Sequence, residues 1–251
     1  MTPLYAAPMA STPRYAIYYA PAPGGGLDRF GAELLGYDTT RGEDLPFPEG
    51  VERIVPDWRD LTSDPRKYGF HATLKPPMAL AEGRTETELR AACQAFCGTP
   101  RDIPVIAPVI DSISGFVALL PAVHSTELQQ LAADCVSQFD SFRAPLTAAD
   151  RARRNPSELT QRQRDHLDRW GYPYVMEDFR FHLTLTGRLA ADRREPVVTM
   201  LRTRFAELGL TKLAIDRIAL FRQQDADSRF RVVAHWKLRG RESAGSNPPS
   251  R

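Results

Sequence analysis

The chain is predicted to be an α+β protein made of two related lobes. Three observations lead there. Strands and helices follow one another in mixed succession with several strand-to-strand hairpins, so the regular βα alternation of a doubly wound sheet is missing. The stretch GFHATL at 69–74 recurs as RFHLTL at 180–185, and each reads as a strand bearing F-H-x-T-L. One continuous globular pattern runs from 14 to 239, between an N-terminus (1–13) and a tail (240–251) whose small, polar and proline residues read as disordered.

The elements follow in order. RYAIYYAP (14–21) reads as a strand closed by the Pro/Gly turn PAPGGG, and LDRFGAELLGYD has the helical spacing of Leu27, Phe30, Leu34 and Leu35. Residues 38–67 read as loop with one short helix. A strand over 69–75 is expected to stop at Pro76 and Pro77. RTETELRAACQAFCG reads as a helix closed by Gly98. IPVIAPVIDSI and GFVALLPA read as a pair of strands, and STELQQLAADCVSQF as an amphipathic helix capped by Ser125 or Thr126. Residues 143–172 form a basic insertion with a local excess of +3, in which TAADRARR and LTQRQRDHLDRWG read as short helices and Thr160 with Gln163 fits a capping box. Two readings of it stand: a solvated helical insertion, or a lid or basic flank for an anionic substrate. A strand around 179–187, a helix over 193–208 and the strands KLAIDRIALFRQ and RFRVVAHWKL, parted by QQDADS, complete the chain.

Composition excludes some classes. The chain has 251 residues, is 42% hydrophobic and 25% charged, and carries a net charge of +2, too small to argue for a nucleic-acid partner. No apolar run approaches a membrane span, and MTPLYAAPMASTP has no basic start followed by an apolar run, so a cytoplasmic protein without a membrane partner is expected. Cys93, Cys97 and Cys135 give an odd number, no disulfide framework and no zinc spacing, and read as inert thiols. The GGG at 24–26 lacks both the G-x-x-x-x-G-K-S/T pattern and the Rossmann spacing, and reads as a flexible turn.

The chemistry sits on the repeated stretch. Side chains alternate across a strand, so Phe70, Ala72 and Leu74 share one face and His71, Thr73 and Lys75 the other. In the second copy Phe181, Leu183 and Leu185 form the apolar row, and Arg180, His182, Thr184 and Thr186 the polar one. Imidazole is accessible in both protonation states near neutrality, since its unperturbed pKa is ~6.5. One His can take a proton from water while the other gives one to a leaving oxygen. The Thr hydroxyls can donate to non-bridging phosphoryl oxygens. This set suits a phosphodiester, above all a cyclic one, and needs no metal or cofactor. Neither stretch pairs its His with a second His or a carboxylate at ligand spacing.

Two H-x-T motifs, one per lobe, resemble the signature of the two-histidine phosphoesterase superfamily, which includes bacterial 2′–5′ RNA ligase/cyclic phosphodiesterase proteins. The segments YGFHATLKPP, LTAADRARR and LTQRQRDHLDRWGYPYV with FRFHLTLTGRL are similar to one branch, an uncharacterised family of phosphonate-metabolism proteins. The resemblance spans about residues 14–238. It implies two pseudo-symmetric lobes of antiparallel sheet with outer helices and a central cleft lined by His71, Thr73, His182 and Thr184. The implied activity is a cyclic phosphodiesterase acting on a small nucleotide- or ribose-type phosphate. The basic insertion departs from the RNA-processing members, so nucleic acid is not indicated as substrate. The competing class is a non-catalytic binder of RNA ends or of a phosphorylated metabolite in the same cleft.

Secondary candidates for substrate binding are Lys75 and Arg180, on the polar rows, and Tyr18, facing the cleft or packing in the core. His235 reads as an edge or surface residue, His124 and His166 as solvated, and Arg222, Arg229 and Arg231 as surface charge. A monomer is expected.

Overall fold

The computed structural model describes residues 12–241. The expected disorder of the N-terminus and tail therefore falls almost wholly outside the described residues. Gly240 and Arg241, assigned to the tail from sequence, are an exception: Gly240 bridges to Arg101, and Arg241 pairs with Asp102 at 3.0 Å.

In chain order the elements are β1 (Arg14–Tyr19), α1 (Gly26–Leu35), β2 (Tyr37–Asp38), β3 (Glu43–Asp44), α2 (Val51–Ile54), α3 (Trp58–Leu61), α4 (Ser63–Arg66) and β4 (Ala72–Ala79). Next come α5 (Glu86–Gly98), β5 (Val105–Ile106), β6 (Pro108–Ile113), β7 (Phe116–Pro121), α6 (Thr126–Gln138), α7 (Ala148–Ala152) and α8 (Gln161–Trp170). The chain ends with β8 (Leu183–Thr184), α9 (Ala191–Ala206), β9 (Leu213–Ala214), β10 (Arg217–Gln223) and β11 (Arg231–Lys237). A four-stranded sheet in the order β11-β10-β1-β4 forms one lobe and a three-stranded sheet in the order β6-β7-β8 the other. All pairings in both sheets are antiparallel. The α+β expectation holds, with α1, α5, α6, α8 and α9 as the long helices.

The helix ends were written locally. Ser125 caps α6 by accepting from Leu128 N, and Thr160 with Gln163 closes the capping box of α8. Residues 38–67 depart from the single expected helix: they hold a two-residue hairpin (β2, β3) and three one-turn helices, too short for periodicity to register. The strand at 69–75 also differs. It runs on through Pro76 and Pro77 to Ala79, because β4 is the outer strand of its sheet and an edge strand tolerates missing N–H donors.

Apolar residues of both lobes share one core. Ile17 and Tyr19 from β1, Phe70 and Leu74 beside β4, Leu119 from β7, and Phe181, Leu183 and Leu185 around β8 are all buried in it. Burying a Phe or Leu side chain of this kind stabilises by roughly 1.5–3 kcal/mol. Phe181 packs on Tyr19, ring centroids 5.9 Å apart, and Gly187 N donates to Leu61 O at 2.6 Å, so the second lobe is pinned onto the first beside its His-bearing strand. The three cysteines are buried and unpaired, and burial pushes the Cys93 and Cys97 thiols up to about 12. No helix among the described residues is long and apolar enough to cross a membrane.

Candidate active site

Both histidines immediately precede a short-edged strand, His71 before β4 and His182 before β8. Each is fixed by the same device. His71 Nδ1 lies 2.9 Å from Gly69 O, and His182 Nδ1 lies 2.7 Å from Arg180 O, in both cases the carbonyl two residues back. A carbonyl can only accept, so the proton of each neutral ring sits on Nδ1 and the lone pair on Nε2. His71 Nε2 lies 3.4 Å from Thr73 Oγ1; His182 Nε2 has no hydrogen bond among the described residues.

Phe70, Ala72, Leu74, Phe181, Leu183 and Leu185 are all buried, whereas His71, Thr73, His182 and Thr184 are half-buried, as strand alternation predicts. The alternation fails four residues after each His. On β4, Lys75 stands opposite Ile17 while Thr73 stands opposite Tyr18, so Leu74 is an extra residue and the strand bulges. Around β8, Val117 O accepts from both Leu185 N (2.9 Å) and Thr186 N (3.2 Å), two residues against one. Each bulge turns the next polar side chain inward. Lys75 does not lie on the polar row: it is fully buried, with Nζ 2.7 Å from Asp140 Oδ1 and 2.9 Å from Val136 O. Thr186, also buried, accepts from Val117 N at 3.0 Å. The similarity of the two lobes therefore reaches from the anchored imidazole to the bulge.

The face of the first sheet that carries Thr73 follows from its register. His235, Ala219, Tyr18 and Thr73 are Cα partners in one transverse row and share a face. Tyr18 is buried and stacks on His71, centroids 3.8 Å apart and planes 24° apart; Phe221, Phe230 and Tyr68 complete an aromatic layer around the pair. Of the two sequence readings of Tyr18, cleft or core, the structure shows the core one: it is buried in a small cluster with Ala16, Ala20, Ala219, Phe221 and Phe230. In the second sheet Ala118 and Thr184 are partners, and the Phe116 ring lies 5.5 Å from that of His182.

Burial governs the charge states. It pushes His71 down to about 4, against the carbonyl of Gly69, which favours the proton; the charge of His182 presses it down further. His182 is lowered by burial too, with Arg180 O acting the other way. The charge of His182 bears on His71, and His71 carries the larger of the two shifts. Burial likewise raises the Tyr18 phenol well above its ordinary value, so it stays a donor.

Other sequence candidates fall away. Arg180 is exposed and supplies its backbone carbonyl to His182. His166, expected to be solvated, is enclosed between Glu177 at 3.3 Å and Asp178 at 3.4 Å. His235, expected at an edge or the surface, does lie on the edge strand β11, but both its ring nitrogens are buried without a partner, and burial lowers its pKa. His124 is exposed, and Arg222 and Arg229 pair with Glu86 and Asp44. The basic insertion is largely self-paired, Arg151 with Asp168 and Arg162 with Asp178. Arg154 nonetheless lies over the Tyr172 ring at 4.9 Å, and its charge bears on Tyr18. Sequence reading missed Tyr68, Tyr172 and Arg154; the arginine excess of the insertion was the signal for Arg154, and Tyr68 directly precedes the first motif. Among the described residues no three His, Cys, Asp or Glu side chains gather as a metal site.

Comparison with known proteins adds the following. Residues 73–231, more than half of the chain and including Thr73, His182 and Thr184, match the family described as "Protein of unknown function (DUF1045)". A protein of Janthinobacterium sp. (strain Marseille) named ribose 1,5-bisphosphate phosphokinase PhnN is 35% identical over 220 residues, covering 85% of this chain and 48% of that protein. One of the same name from Laribacter hongkongensis (strain HLHK9) is 30% identical, covering 87% and 50%. The chain thus spans about half the length of the curated relatives it matches. The crystal structure of E. coli LigT complexed with 3′-AMP is 14% identical and covers 91% of this chain and 99% of that one, with a TM-score of 0.37. Values that low transfer neither side-chain positions nor a reaction.

Proposed function

Since this chain belongs to the DUF1045 family, whose description assigns no activity, we propose one from the site itself: a metal-independent phosphodiesterase that opens a small cyclic phosphate of nucleotide or ribose type. Water attacks phosphorus while His71 Nε2 takes its proton. The bond to the leaving sugar oxygen breaks, and that oxygen receives the proton carried by His182 Nε2. Thr73 and Thr184 donate to the two non-bridging oxygens as negative charge builds there. His71, the harder ring to protonate, is the base, and His182 is the acid.

One observation carries this reading. Two imidazoles are anchored identically through Nδ1, each has a Thr two residues on, and the charge of one bears on the other. A binding site for anions has no need of two titratable imidazoles, whereas proton transfer uses one as base and the other, protonated, as acid. The relatives support the ribosyl substrate class: proteins named for a ribose 1,5-bisphosphate kinase contain a stretch like this chain in about half their length. The sequence of this chain has no G-x-x-x-x-G-K-S/T pattern, the phosphate-loop signature of many kinases. Such a pairing supports a reading in which this domain acts on ribosyl phosphates, and phosphonate breakdown is the pathway expected from the sequence resemblance.

The test is hydrolysis of a panel of cyclic ribosyl and nucleoside phosphates with and without chelator. His71→Ala and His182→Ala should each lose about 10²–10⁴-fold in kcat. Undiminished turnover in either variant would overturn the mechanism. Tight binding without product at any pH would instead establish the binder.

A further inference from the structure

A second basic centre lies beside the cleft, on elements the two-histidine chemistry does not use. Arg14, at the start of β1, is on the same strand face as Tyr18, about 13 Å along the strand at ~3.3 Å per residue. Its guanidinium is held in place: Nε donates to Gln223 Oε1 at 2.8 Å, and Nη2 reaches the same oxygen. Gln223 is itself buried and tied through Nε2 to Ser228 O at 2.8 Å. From there the Arg14 guanidinium sits 5.8 Å from the Phe230 ring centre, and Phe230 and His71 both flank Tyr18. Arg154, just beyond α7, lies over the Tyr172 ring at 4.9 Å.

Arg14 and Arg154 line one cavity of about 120 Å³, together with Arg143, Arg153 and Asp150. The other charges of this cavity are matched: Arg143 with Asp140, Arg153 with Asp150. Among the described residues neither Arg14 nor Arg154 has a carboxylate within ion-pair distance. Both bear electrostatically on the Tyr18 hydroxyl, from opposite elements. Two unmatched guanidiniums facing one small cavity, Arg14 held by Gln223 and Arg154 set over Tyr172, suit a phosphate monoester, which offers several acceptor oxygens and two negative charges. The arginine excess of the insertion is then a substrate contact at Arg154 rather than only a solvated surface.

We propose that Arg14 and Arg154 bind a second, terminal phosphate of the substrate, so that the compound opened by the histidines is a sugar cyclic phosphate also bearing a phosphomonoester. Gln223 acts as a positioning residue for Arg14. This rests on the proposed hydrolase reading and narrows its substrate.

Two measurements separate the two readings. The first is kcat/KM for uridine 2′,3′-cyclic phosphate against its 5′-phosphorylated form. The second is equilibrium binding of adenosine 3′,5′-bisphosphate against adenosine 3′-monophosphate, which needs no turnover. The wild type should favour the doubly phosphorylated member of each pair by about tenfold or more, the scale of one to two charge-assisted hydrogen bonds. That ratio should fall toward one in Arg14→Gln and in Arg154→Gln, and stay in the control Arg41→Gln, which is remote from the cavity. Equal binding of the two adenosine nucleotides by the wild type, or a ratio unchanged in both variants, would overturn the second-phosphate site. A preserved binding ratio with no hydrolysis of any cyclic phosphate would sink the hydrolase reading and leave the phosphate site standing.

Discussion

Tyr18 and His71 lie face to face, their ring centroids 3.8 Å apart and their planes inclined by 24°. The stack joins β1 to the residue before β4 across the bulge that expels Lys75. It also closes one side of the imidazole to water, which is part of why burial dominates the shift of His71. Aromatic pairs of this kind contribute ~0.5–1.5 kcal/mol beyond area burial. In Tyr18→Leu the ring is freed and partly hydrated. The expected result is a kcat lower by up to about tenfold, with the His71 titration followed by NMR moving up toward ~6.5. Tyr18→Phe, which keeps the stack, should leave that titration in place.

The charge states set the pH profile. The base His71 is competent only above its pKa of about 4. The acid His182 is competent only below its own pKa, which burial holds under the ordinary histidine value. The profile of kcat/KM for the free protein should therefore be a bell whose optimum lies below pH ~6.5, with the alkaline limb belonging to His182. A plateau extending above pH 8 would contradict the assignment of His182 as an imidazolium donor.

The same shift appears in stability. His71 binds its proton less well folded than unfolded, so the unfolded state holds more protons between the two values and stability rises with pH there. The contribution is fully present above ~6.5 and is lost as pH falls through that window toward about 4. By linkage, His71 should cost the wild type about 2 kcal/mol between pH 7.5 and 5. His71→Gln cannot take up the proton. The gap in unfolding free energy between wild type and His71→Gln, from denaturant titration at both pH values, should change by that amount in favour of the variant at pH 5.

The alternation of Phe, His and Thr was legible because a strand with one buried face writes a period of two into its residues. The position of Lys75 was not, for a reason that is local and geometric. One extra residue, Leu74, sits opposite β1, and a bulge carries no composition signal in an already apolar strand. Lys75 reads as a cation on a polar row until Asp140, 65 residues away, is seen beneath it at 2.7 Å. The prolines at 76 and 77 misled in the opposite sense, since their tolerance depends on β4 being an edge, a fact of sheet order. Tyr172 and Arg154 were beyond reach because their partner, Tyr18, lies more than a hundred residues earlier. What crossed that distance was only the excess of arginine.

A difference between the two motifs, Gly69 where the other copy has Arg180, has a backbone cause. Gly69 has φ of 75°, which L side chains rarely adopt, and a Cβ there would sit 2.0 Å from Thr39 Cγ2 in the β2–β3 turn. Arg180 carries no such strain, and its side chain points into solvent. Yet the two residues do the same work, each presenting its carbonyl to Nδ1 of the histidine two residues on. Gly69→Ala should therefore damage both stability and chemistry. The strained φ costs of the order of 1–3 kcal/mol, and the shifted carbonyl loosens the His71 tautomer. Thr39→Ser removes the clashing Cγ2 but not the dihedral. The double variant Gly69→Ala/Thr39→Ser should then recover part of the unfolding free energy and part of kcat, measured side by side with the single variant. A single variant as stable and as active as the wild type would mean that this carbonyl does not orient His71.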